Sequence, residues 1–451
     1  MLDVLAVITL LAQQPDYAFF KERVEPIFLA KRSGHARCVS CHEHRVPPLV
    51  PLAPGATGWT EEQSRKNFAA WKLFVTPGDP LKSRMLTYPL AAAAGGDRFH
   101  PGGKHWKSQS DPEWQTLAAW VRGDTLSSGG ATAGGVVRVL QSNSAGDDIH
   151  VIDPATNQIV GKIEGIEVPH GLVIAPDGRR VYVTNESLRT LDVVDAKTLK
   201  VGKRIPLTGR PNNVDVSKDG ARVYVGIVDA PGAVDVIDVA SMTNIKSVGV
   251  KGGIHNVYLT PDGKFAVAGS IPGKTINVID TSSNTLAWTL EMSAGIRPMA
   301  FTRNADGSTK EIVVQLSDFH GLALVDFASR KEIRRITLPD PPGVHKETEG
   351  LQGSPSHGLA ITPDGKMLWA TSKHYEYVAA YSLPDFKLLK TVTVGLHPDW
   401  LTIPPDGKSL YVAVAGEDMT VVVDIQSMRV VKKIPVGSVP KRVVSGMLRG
   451  E

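Results

Sequence analysis

The chain has 451 residues, too many for one compact core, and its composition (42% hydrophobic, 21% charged) is that of an ordinary globular protein. Fifty Lys and Arg against 46 Asp and Glu leave a net charge of +4. The charge is dispersed and forms no basic run, which speaks against nucleic acid as a partner.

Residues 1–12, MLDVLAVITLLA, are apolar but too short to span a bilayer. They suit the apolar stretch of a secretion signal cleaved after Ala12, so residues 1–15 are read as a signal-peptide remnant. The fit is incomplete, because no Lys or Arg precedes the stretch and Leu10 stands three residues before the cut. No other segment is apolar enough to cross a membrane.

Phe20, Val24, Ile27 and Phe28 recur at near-helical spacing and predict one helix with a single apolar stripe, despite Pro26. Next comes Cys38-Val39-Ser40-Cys41-His42. Two thiols three residues apart, with histidine directly after the second, form the attachment pattern for a c-type haem. Each thiol adds across one vinyl group, and the histidine becomes the proximal iron ligand. A zinc site would need further thiolates or clustered histidines, and a redox CxxC belongs in a βαβ pattern. Neither context is present. With both cysteines engaged by haem, no disulfide remains to staple the chain. Lys31, Arg32, His35, Arg37 and Arg45 cluster around the motif, suited to haem propionates or to steering an acidic redox partner. Asp111 as N-cap and Pro112 as first residue then open a helix carrying Trp114, Leu117 and Val121 on one face.

With these stretches in view, residues 16–123 resemble the small, all-α cytochrome c domains of large bacterial secreted proteins. Three segments carry the resemblance: Val24-Glu25-Pro26-Ile27-Phe28 before the motif, the turn Pro77-Gly78-Asp79-Pro80-Leu81-Lys82-Ser83, and the closing Trp120-Val121-Arg122-Gly123. The family usually places a Met-Pro shortly before the last helix, its methionine being the distal iron ligand. Here Phe99-His100-Pro101 stands instead, so the resemblance implies His100 as distal ligand, with His105 and Met85 as competitors. It also implies one covalent haem c and a periplasmic or secreted location, since thioether attachment happens outside the cytoplasmic membrane.

Residues 124–135, DTLSSGGATAGG, read as a flexible linker. From Val136 to the end the chain turns β-rich and repeats. An Asp-Gly turn recurs at Asp177, Asp219, Asp262, Asp306, Asp364 and Asp406, each followed by short strands such as Val181-Tyr182-Val183. Four strands every ~42 residues is the signature of a propeller blade. Residues 136–168 hold only three strands and 440–446 only one; joined, they make a seventh blade that closes the ring and leaves no open sheet edge. The repeats of 136–451 resemble the YVTN family of β-propellers, whose tetrapeptide stands here as Tyr182-Val183-Thr184-Asn185. That resemblance implies fold rather than activity.

Six residues before each turn lies an equivalent position expected at the channel mouth: His170, Asn212, His255, Met299, His357 and Asp399. His170, His255, His357 and Asp399 form a candidate metal or polar-ligand site. The competing reading is that such imidazoles hydrogen-bond neighbouring blade backbone. His320, His374, His345, Glu347 and Glu349 are expected on the same side.

Two functions follow as expectations. One is a c-type cytochrome passing electrons to a redox partner protein, with a propeller that binds a small-molecule substrate, metal or partner. The other is a non-enzymatic propeller scaffold docked to a respiratory or sensing assembly through its haem domain. Haem-plus-propeller nitrite reductases use eight blades around a second haem, and seven blades argue against that second haem here.

Overall fold

A computed structural model describes residues 14–32, 36–43, 45–53, 56–124, 135–351 and 353–449. The expected signal stretch before Gln14, His35 of the basic cluster and 125–134 of the expected linker lie outside the described residues. The chain forms two compact units that divide at Gly135/Val136. Among the described residues no helix is long and apolar enough to cross a membrane.

The first unit is built from short helices. α1 (Tyr17–Phe19) runs through a π turn (Phe20–Val24) into α2 (Glu25–Leu29), where the sequence predicts one continuous helix. Pro26 supplies the reason: it has no N–H to return to the preceding turn, and its ring needs room there. α3 (Cys38–His42) is a little over one turn. α4 (Glu61–Lys72) opens on a capping box between Thr60 and Gln63. α5 (Arg84–Thr87) follows the turn Pro80–Lys82. α6 (Pro112–Arg122) starts as its sequence predicts, with Asp111 Oδ1 accepting the Glu113 N–H, and ends on Gly123 at φ +88°, where a left-handed residue stops a helix at little cost. Aromatic rings hold these pieces together: Phe28 lies 4.3 Å from Trp71 and Phe20 lies 5.2 Å from Trp120, centroid to centroid.

The second unit is a seven-bladed β-propeller of seven four-stranded antiparallel sheets. Each of the six Asp-Gly turns has its glycine at φ between +68° and +84°, a region open to glycine without steric penalty. In each, the aspartate accepts an N–H two residues on, as in Arg179 N to Asp177 Oδ1 (3.0 Å) and Lys408 N to Asp406 Oδ1 (3.1 Å). The middle strands are buried almost throughout, as in Arg180–Asn185, because both faces pack on neighbouring blades. Outermost strands such as Arg429–Pro435 are exposed except at one apolar residue. The seventh sheet orders Pro440–Arg449, Gly135–Asn143, Asp148–Asp153 and Gln158–Glu164, which is the one-plus-three closure expected from the sequence.

The tetrapeptide has a mechanical task. Thr184 Oγ1 accepts the Gly171 N–H (2.7 Å) and donates to the Asn212 carbonyl of the next blade (2.6 Å). Thr371 repeats this between Gly358 N (2.7 Å) and Asp399 O (3.2 Å). Blades approach so closely here that a Cβ on Gly171 or Gly358 would lie 2.5 Å from the neighbouring carbonyl oxygen. The His-Gly pairs of the sequence therefore have their glycines fixed by backbone contact.

Candidate functional site

The first candidate site is a cavity of about 290 Å³ inside the helical unit. Residues three and four apart share one face of a helix, so α3 presents Cys38, Cys41 and His42 together, and all three line the cavity. Burial pushes the Cys38 thiol up, against the pull of Arg32. His42 Nδ1 is 2.7 Å from the Pro47 carbonyl oxygen; a carbonyl only accepts, so Nδ1 carries the proton and Nε2 is left as the free ring nitrogen. His100 repeats this arrangement with its Nδ1 2.7 Å from the Gly103 carbonyl oxygen. The two imidazoles face across the cavity, ring centroids 6.4 Å apart and planes 19° apart. Burial holds His42 below its ordinary pKa.

The competing residues are placed as well. His105 lines the cavity beside His100, 6.0 Å between centroids. Met85 is 5% exposed and packs in the aromatic core while touching the same cavity. Arg37, Arg45 and Arg84 lie on its exposed rim. Of the basic cluster, Arg32 is engaged elsewhere: Nε donates to Glu113 (2.7 Å), which also accepts the Trp106 indole N–H (3.1 Å).

The second candidate site is at the propeller's channel. The histidine positions that the repeat phase singles out do meet: His255 lies 6.3 Å from His170 and 5.9 Å from His357, centroid to centroid. Asp399 joins them, Oδ1 2.5 Å from His357 Nδ1. All four line one small cavity of about 30 Å³. Asn212 and Met299, at the same phase, do not; Met299 packs in the core between blades. His320 and His374 form a separate pair, 5.1 Å apart. His320 is engaged by Ser372 and Asp340, and His374 by the Glu347 carbonyl. His345 and Glu349 are exposed.

Burial lowers all three channel histidines: His170, His357 to about 4, and His255 well below its ordinary value, where its two neighbours add to the effect of burial. Asp399 goes well below the usual carboxylate range despite burial, because His357 and Lys373 stand against it. Among the described residues no group of three or more His, Cys, Asp or Glu is arranged to hold a metal ion.

Sequence reasoning missed the basic residues here. Arg297, Lys373 and Lys441 line the same cavity. Lys441 could have been found: Pro440-Lys441 falls 42 residues after Pro398-Asp399, at the same strand start, but no Asp-Gly turn follows it to mark the phase. Glu186 and Lys373 are likewise equivalent, each the first residue past a second strand (Arg180–Asn185 and Met367–Ser372). Glu186 Oε1 stands 2.5 Å from His170 Nδ1.

No protein-family profile matches the sequence, and no curated protein matches it either. Among solved structures, the chain is similar to hydrazine synthase of Kuenenia stuttgartiensis (TM-score 0.55, 23% identity, covering 63% of this chain and 91% of that one). It is also similar to the periplasmic gluconolactonase of Pseudomonas aeruginosa (TM-score 0.57, 19% identity, covering 70% and 100%). At these identities the likeness establishes the propeller fold.

Proposed function

We propose that the helical unit is a c-type cytochrome domain with one covalent haem, and that the chain is a periplasmic or secreted electron-transfer protein whose propeller binds a small ligand. The observation that carries this reading is the pair of imidazoles facing across one largely apolar cavity. Both His42 and His100 have Nδ1 engaged by a backbone carbonyl at 2.7 Å, which leaves Nε2 available on each ring. A carbonyl behind the ligating ring fixes its tautomer and raises its basicity, the usual support of a metal-bound histidine.

The residues fit the group. Cys38 and Cys41 would hold the haem as thioethers, His42 would be the proximal ligand and His100 the distal one, while Phe28, Trp71, Met85 and Leu117 supply the apolar wall. Bound there, haem supplies reversible one-electron chemistry. With His42 and His100 both holding it, the group would supply electron transfer rather than catalysis at the iron. Arg37, Arg45 and Arg84 on the rim suit propionates or an acidic redox partner. Propeller neighbours named for enzymes are in keeping with a binding or enzymatic role for the second unit.

The test is the double variant Cys38→Ala/Cys41→Ala, made in a host that matures c-type cytochromes. Wild type should keep its haem through acid-acetone extraction and the variant should lose it, with the β-sheet circular dichroism unchanged. Extraction-resistant haem in the variant, or none in the wild type, would end the assignment.

A further inference from the structure

The propeller's channel cavity is more basic than its histidines suggest. In its lining three cations, Arg297, Lys373 and Lys441, face a single carboxylate, Asp399. Arg297 and Lys373 are 7% and 6% exposed, so the charge is not spent on solvent. Lys373 Nζ is 3.3 Å from Asp399 Oδ2, and Arg297 Nε donates to Ser317 Oγ (2.9 Å). A fourth cation backs the lining. Arg442 is 2% exposed, its Nε and Nη2 are buried without a partner, and its guanidinium stacks 3.2 Å from the Trp400 ring centre. Trp400 in turn lies 4.7 Å from the His357 ring. Three more carboxylates stand behind the lining: Glu186, Asp318, which faces Arg297, and Asp215. Glu186 is engaged by His170, and Asp215, which faces Arg442, is pushed up to about 6 by burial.

His255 adds a neutral donor. Its Nδ1 is 2.7 Å from Asn256 Nδ2, and an amide nitrogen donates. Nδ1 is therefore the acceptor, and the ring's own proton sits on Nε2, the nitrogen free to bond elsewhere. A metal cation in this lining would meet like charges, while the lining's carboxylate is already in contact with His357 and Lys373. A lining with more cations than carboxylates calls for the opposite sign.

We propose that this cavity binds one compact anion, a free small oxyanion or the carboxylate head of a larger molecule, held by Lys373, Lys441, Arg297 and the His255 Nε2–H. Size sets the class: a water needs about 10–15 Å³ of such space, so 30 Å³ takes only a few heavy atoms. The proposal deepens the ligand-binding half of the function above and does not depend on the haem half.

The experiment is calorimetric titration of the whole haem-loaded protein, at low salt in a zwitterionic buffer, with sodium formate, sodium succinate and zinc chloride, with sodium chloride as the control for its counter-ion. Formate or succinate should bind once per chain. Tighter formate assigns a free small anion, and tighter succinate a carboxylate on a longer ligand. Lys441→Gln, at a half-exposed position that folding tolerates, should weaken the anion about tenfold, the worth of one charge-assisted hydrogen bond, and leave the haem spectrum unchanged. Lys373→Met should do the same where it folds. No anion binding by folded wild type, equal affinity in Lys441→Gln, or zinc binding in place of formate would overturn the proposal. A chain that binds formate but carries no covalent haem would overturn only the cytochrome reading.

Discussion

The two units of this chain treat their centres in opposite ways. The helical unit assembles Phe28, Trp71, Met85 and Leu117 around a cavity of about 290 Å³, with α4 and α6 its only described helices longer than five residues. The propeller packs side chains between blades so closely that its channel cavity measures only about 30 Å³, and what lines it is charged. Well-packed interiors leave few voids larger than a water. The apolar cavity of about 290 Å³ is where the proposed haem would sit, and the unit's stability would then be linked to that group by mass action. The propeller's stability lies in its own ring. Its buried charges have the repeat geometry to hold them in place, at a cost that only a functional ligand or a full set of partners offsets.

The sharpest way to break this comparison is to open the ring. The strand Pro440–Arg449 is the single segment that joins the last blade to the first sheet; Arg442 N and O are bonded to Ser142 and Gln141. Deleting residues 440–449 removes one of four strands from the seventh blade and exposes the edge of Gly135–Asn143. The expected result is loss of the cooperative thermal transition of the β-sheet signal, while the haem absorbance spectrum stays that of the full chain. A truncated chain that keeps its β transition within a few degrees would show that the ring does not depend on closure.

How much of this was legible follows the same division. Repetition made the propeller readable: six Asp-Gly turns at one phase gave blade count, closure and the strand starts where His170, His255, His357 and Asp399 converge. What repetition could not reach was Lys441, whose blade lacks the marking turn, and Arg297 and Arg442, whose meaning depends on what is buried beside them. In the helical unit a motif did the work that repetition did elsewhere. Cys38, Cys41 and His42 were readable from spacing, and the position of His100 came from a resemblance. The carbonyls of Pro47 and Gly103, which orient both rings, are backbone groups and leave no mark in a sequence. The π turn before Pro26 was missed because a stripe of apolar residues looks the same whether the helix is regular or widened by one residue.

A milder perturbation is acid. Half-buried His170 and His255 and buried His357 face Glu186, Asp399, Lys373, Arg297 and Lys441, and all three titrate below the ordinary 6.5. Their folded pKa values lie below the unfolded ones, so the unfolded chain takes up protons first as the pH falls. The His357 contribution is whole above about pH 6.5, declines from there to about pH 4, and is gone below it. For His357, falling from 6.5 to about 4, the linkage is at most about 3 kcal/mol. Denaturant unfolding followed by β-sheet signal should show this decline, and His357→Gln should flatten it. A midpoint that does not move between pH 7 and 5 would mean that these rings are more hydrated than their burial implies.

The smallest effect on stability, and the most informative for the haem, comes from His100. It sits half-exposed on a loop, so His100→Ala should change unfolding by no more than about 1 kcal/mol. Met85 is the contrast: at 5% exposure in the aromatic core, Met85→Ala should cost about 2–4 kcal/mol. The iron should respond in the reverse order. A thioether opposite the proximal histidine favours reduced iron and raises the potential, whereas a second imidazole does not. With His100 as ligand the oxidised wild type should lack the near-infrared methionine-to-iron band. His100→Met should introduce that band and raise the potential, because the replacement starts from the same loop position across from His42. Met85→Ala should leave both the spectrum and the potential as they were. A methionine band already present in the wild type, lost in Met85→Ala and kept in His100→Ala, would transfer the distal role to Met85 and make the facing imidazole a rim residue of the cavity.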